Sequence, residues 1–167
     1  MEKLIDKISS YNIFNFFFPG AVFSALADHL GIIAPPSDKL IERLVWYYFI
    51  GLIISRIGSL MVEPILKSIK FVTYADYKMY LAASQADSQM ATMVETSNTY
   101  RTIIAAFLAL AVSFIVNTLA NDLKIDVNTR ELVLISGALI LFLFSFRKQS
   151  NYISRRAEHY GGEPKSP

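Results

Sequence analysis

Apolar and charged positions fall along this chain in long blocks, not in alternation. Residues 8–27 are 20 positions without a charge, and 102–121 are another 20. Between 44 and 66 only Arg56 and Glu63 interrupt the apolar run, and 132–146 is uncharged between Glu131 and Arg147. A helix of about 20 apolar residues crosses a bilayer core about 30 Å thick. These blocks therefore predict membrane-spanning helices near 12–31, 42–66, 101–120 and 129–147. The last block is short, and Arg130 and Arg147 lengthen it by snorkelling from its ends. The expected fold class is all-α: a polytopic membrane protein of four transmembrane helices in residues 1–147, with a basic, partly disordered tail over 148–167.

The links between blocks have their own patterns. Residues 1–10 are amphipathic, with Leu4, Ile5 and Ile8 on one face, and Ser9 or Ser10 is placed to cap the first span. Within that span Pro19 removes a backbone hydrogen bond, which predicts a kink at Pro19 and Gly20, either a static packing kink or a hinge for rearrangement. Pro35 and Pro36 mark a turn, and Trp46, Tyr47 and Tyr48 follow as headgroup anchors. In 67–100, Phe71, Tyr74, Tyr77 and Leu81 recur at helical spacing, as do Met90, Met93 and Val94. This predicts two helices that prolong the second and third spans and fold as a cytoplasmic hairpin. Its candidate surface for a cytoplasmic protein partner is Tyr74, Tyr77, Tyr80, Met90 and Met93. Gly161 and Gly162 stop any helix in the tail.

Composition agrees with the blocks. Apolar residues make up 53% and charged residues 18%, where soluble chains carry about 25% charge. Mean hydropathy is +0.38. These values argue against an ordinary soluble enzyme and against a disordered chain. There is no cysteine, so disulfides, thiolate metal sites and cysteine nucleophiles are excluded. A net charge of +2 gives no reason to expect nucleic-acid binding. The position of the charges is more telling. Eleven lysines and arginines fall in the N-terminus, the middle segment and the tail, against four in the other two links. By the positive-inside rule both termini and the middle segment are cytoplasmic.

Motifs for chemistry are nearly absent. There is no Gly-rich phosphate loop and no H-E-x-x-H. The two histidines, His29 and His159, fall on opposite sides of the membrane in this topology, so they form no shared metal site. Arg155 and His159 stand too close for the ribonuclease motif of HEPN proteins. No enzyme activity, cofactor or metal is expected. Buried polarity is the more informative signal. Arg56 lies inside the second span, where a charge is costly and faces a bundle interior, a water path or a partner acid, unless it snorkels to the headgroups. Glu63 is about 10 Å further along the same helix, which favours pairing between protomers over pairing within one. Asn15 and Asn117 are polar at depth in the first and third spans. With Arg56 and Glu63 they are the candidate pore or protomer-contact residues. Gly51, Ser55 and Ser59, with Gly58, form a small-residue face for close helix packing, within one chain or in a homo-oligomer.

Lys7 to Asn15 followed by Phe18-Pro19-Gly20, and Ser97 to Thr102 at the start of the third span, resemble segments of small bacterial membrane proteins found in anti-phage defence loci. The four-span shape is similar to the effectors of nucleotide-signalling defence systems and to the membrane subunit of the Kiwa system. The chain lacks the separate nucleotide-sensing domain that many such effectors carry, which favours control by a partner protein. The resemblance implies an inner-membrane effector of phage defence. It would oligomerise and perturb or permeabilise the bilayer when a cytoplasmic partner or signal engages it. A non-conducting anchor that recruits a soluble defence protein is the alternative, and a small transporter or accessory subunit is the second.

Overall fold

The computed structural model describes residues 13–161; the amphipathic reading of 1–10 and the end of the tail lie outside them. Among the described residues all regular structure is helical. A π-helical turn, Ile13–Phe17, leads into α1 (Phe18–His29). Then come α2 (Leu40–Ile57), a second π-helical turn (Gly58–Val62), α3 (Glu63–Ser68), α4 (Tyr77–Ala86), α5 (Gln89–Asp122) and α6 (Val127–Gly161). Three stretches are long and apolar enough to cross a membrane: Leu40–Ser68, Gln89–Asp122 and Val127–Ser154, of 29, 34 and 28 residues. At 1.5 Å per residue each exceeds the bilayer core. The first expected span is described only from Ile13, as a five-residue turn and a 12-residue helix.

The chain divides into two units, Met1–Ile125 and Asp126–Pro167. In the first, α1 and α2 run antiparallel and α5 packs on both. Its core joins Phe23 and Ala27 of α1, Ile54 of α2, Val62 of the second π-helical turn, and Ala105 and Ala106 of α5. Small residues set how close the helices come. A Cβ on Gly51 would stand 1.7 Å from the Phe16 carbonyl oxygen, and one on Gly20 would stand 1.9 Å from that of Tyr47. At both crossings only a Cα–H fits against the facing carbonyl. A Cβ on Gly58 would stand 3.3 Å from that of Ala105, so this glycine faces α5. The small-residue face read from sequence is thus used within one chain.

Three helices end in the same way. After α1, Gly31 is left-handed, with Gly31 N–H on Asp28 O and Ile32 N–H on Ala27 O. Lys70 and Phe71 repeat the pattern after α3, and Lys124 and Ile125 after α5. Each is a Schellman cap. The cap after α3 corrects the hairpin reading. The helix of the second expected span does not continue past Ser68, because Lys70 (φ 58°) turns the chain and Phe71 N–H takes the Leu66 carbonyl at 2.9 Å. The next helix starts afresh at α4, where Asp76 Oδ1 accepts the Lys78 N–H at 2.8 Å. The other arm is as expected: α5 carries the third span out to Gln89 without a break.

The second unit is α6. Asp126 caps its start, accepting the Thr129 N–H at 3.0 Å and the Thr129 hydroxyl. Large apolar residues from Leu132 to Phe146 are exposed, among them Ile135, Leu139 and Leu143. The helix runs on through Arg147 to Gly161, so no break in secondary structure separates 147 from 148, and the tail is helical up to Gly161.

A buried polar junction as the candidate functional site

Two prolines create the site. Pro19 leaves the carbonyl of Asn15 without its α-helical donor, and Pro64 does the same to Leu60. Asn15 lies within the first π-helical turn and Leu60 within the second. The wider turn is how the backbone absorbs each loss. The kink expected at Pro19 is therefore a π-to-α junction at Phe17 and Phe18, and α2 has a counterpart before Pro64 that was not foreseen. Both junctions pack against α5.

They meet α5 at consecutive residues. The Thr102 hydroxyl lies 2.9 Å from Asn15 Oδ1 and 2.8 Å from the carbonyl of Asn98, so it shares its one proton between them. Asn15 Nδ2 reaches Ser55 Oγ at 3.5 Å. Asn15 is only 1% exposed, and Thr102 and Ser55 are also buried. Burial without partners would cost an amide of this kind several kcal/mol, about 2–7, so the bonds that it makes fix which helix faces meet. One position earlier on α5, the Arg101 guanidinium donates to Glu63 Oε2 at 2.7 Å, and Lys67 donates to Oε1 at 2.8 Å. Glu63 is 8% exposed. Two cations therefore hold one buried carboxylate. Lys67 also sits 3.9 Å over the Tyr74 ring. Arg101 Nε, Ser24 Oγ and Trp46 Nε1 are buried without a hydrogen-bond partner among the described residues.

Glu63, expected to pair with Arg56 between protomers, is paired with Lys67 and Arg101 of its own chain. Arg56 is half-buried and makes no ion pair among the described residues. Asn15 and Asn117 are not brought together: Asn117 is half-buried on α5, about 22 Å along the axis from Thr102. Ser55 and Gly51 face the first helix, and Gly58 faces α5. Ser59 is half-buried in the second π-helical turn. Gly20 lies tightly against α2, which fits the packing alternative for the kink. Of the candidate partner surface, Tyr77 and Tyr80 have ring centroids 6.5 Å apart, Tyr74 lies under Lys67, Met90 is half-buried and Met93 exposed.

Sequence reasoning missed Arg101 and Thr102. Their signal was present: two polar residues side by side at the start of a charge-free run, with Glu63 the one acid inside the apolar run 44–66. Among the described residues no group of three or more histidine, aspartate or glutamate side chains is placed to hold a metal ion. No protein-family model matches the chain, and neither does any curated protein or solved structure.

Proposed function

We propose that this chain is a four-span protein of a bacterial inner membrane, with both termini and the segment 67–100 in the cytoplasm. In this reading it is the membrane anchor of a phage-defence pair and holds a soluble protein at the bilayer. The distribution of lysine and arginine supports the orientation, and the run that includes α1 supplies the first span. The anchor reading, which began as the alternative, rests on one observation. Asn15 and Glu63, which were to line a path through the membrane, direct their hydrogen bonds to Ser55, Thr102, Lys67 and Arg101 of the same bundle. Helical rods beyond the bilayer, the start of α5 and the end of α6, are what a soluble partner would grip.

The test is cross-linking and purification from cells that also express the neighbouring genes. The anchor reading expects a cytoplasmic protein in fixed stoichiometry. That protein should be lost with Met93→Glu and kept with Asn117→Leu, while membrane potential stays steady through phage challenge. Absence of any such protein sinks it.

One observation favours the permeabilising effector as the second reading. Arg56 has no ion pair within its own chain among the described residues, and contact between protomers would supply one. Depolarisation upon challenge, lost in Arg56→Ala with Glu63→Ala at equal expression, would establish this reading in place of the anchor.

A further inference from the structure

We propose that residues 69–76, which join the second span to α4, clasp the headgroup layer where the span Leu40–Ser68 ends, and that they select anionic phospholipid. The proposal rests on the membrane reading above. The Schellman cap after α3 fixes the backbone here. Such a cap usually covers the apolar residue after its left-handed position with one from the last helical turn, which would be Phe71 against Leu66. Instead Phe71 is 74% exposed, Ile69 65% and Tyr74 56%. The chain thus holds a rigid turn while turning its apolar side chains outward, at the point where the helix leaves the apolar layer.

Lys67 sets the depth of this segment. It bonds Glu63, which also takes Arg101, and it lies over the Tyr74 ring. Tyr74 is therefore kept beside the ends of two spans and is not carried away with α4. The charges complete the pattern. Lys70 and Lys78 are exposed and flank these rings in the sequence, and Asp76, the one acid between them, is engaged in capping α4. Aromatic rings and lysines on an exposed turn at a span end are the composition of a segment seated among headgroups, and lysines there draw anionic lipid.

The full chain reconstituted in phosphatidylcholine vesicles, with and without phosphatidylglycerol, tests this. Trp46 is the single tryptophan, and its quenching by brominated lipid reports insertion independently; no quenching there overturns the membrane reading itself. In inserted protein, Phe71→Trp on a Trp46→Phe background should be quenched more by lipid brominated near the headgroup than near the chain end, and shielded from acrylamide. Spin-labelled phosphatidylglycerol should associate in preference to phosphatidylcholine, and the preference should fall about fivefold for each of Lys70→Gln and Lys78→Gln. With Trp46 quenched, three results overturn the clasp. They are acrylamide access without lipid quenching, shielding from both (a second copy covers the turn), and equal association of the two lipids.

Discussion

Gly20 and Gly51 each lie against the backbone carbonyl of the facing helix, at Tyr47 and Phe16 respectively. Neither carbonyl belongs to a side chain that can swing aside. Gly51→Ala and Gly20→Ala should each destabilise the first unit by about 1–3 kcal/mol, as overpacking does. Gly137 in α6 is the control, since a Cβ there meets nothing within 4 Å. Gly137→Ala should stabilise by about 0.5–1 kcal/mol through helix propensity alone. Thermal unfolding in detergent, followed by circular dichroism, distinguishes the two outcomes.

Glu63, Lys67 and Arg101 act as one unit, so their substitutions should not add. Arg101→Ala leaves Glu63 with Lys67, whereas Glu63→Ala strands two cations. Breaking a buried pair costs about 3–5 kcal/mol, and Glu63→Ala should be the worse of the two. The double variant should lose clearly less than the sum of the singles. A full double-mutant cycle on unfolding in micelles measures this, and strict additivity would mean that the pair has no coupling.

Lys124 occupies a left-handed conformation, φ 54°, at the end of α5. A side chain there costs roughly 1–2 kcal/mol that glycine does not. Lys124→Gly should therefore stabilise the chain, in part offset by the freedom that glycine gains on unfolding. A rise in melting temperature is the expected outcome.

Asp126 gives α6 a pH-sensitive start. The Thr129 hydroxyl, and then its backbone N–H, hold the Asp126 carboxyl below the ordinary aspartate range. A carboxyl lowered in the folded state adds stability above its unfolded value and loses it as pH falls through the folded one. The protection of the Thr129 amide, its exchange rate relative to the unstructured amide at the same pH, should hold from neutral pH down to the ordinary aspartate range and fall below it. Asp126→Asn, which still caps, should flatten the dependence.

The helices were legible because membrane spans are written as uninterrupted runs, and no packing detail is needed to read them. The junction was only half legible. Asn15 and Glu63 stand out as polar residues in apolar surroundings, but their partners lie 87 and 38 positions away. Which residues meet across helices depends on the register set by Gly20 and Gly51, and no local pattern states it. Thr102 read only as the start of a charge-free run, and Arg101 as one of the charges of the middle segment. The break after Ser68 was hidden because lysine stands where such a cap usually carries glycine, and the apolar spacing of Phe71, Tyr74 and Tyr77 runs straight across it.

The Glu63 junction also has a place in time. Lys67 leaves the ribosome four residues after Glu63, whereas Arg101 follows 38 residues after it. At synthesis rates of about 5–20 residues per second, that second interval is roughly 2–8 s. Lys67 is thus available to the acid before Arg101 is, and α1 and α2 are made before the helix that packs on both. During that interval Asn15 has Ser55 but no Thr102. The polar seam of the first two helices is therefore completed only when α5 has been made.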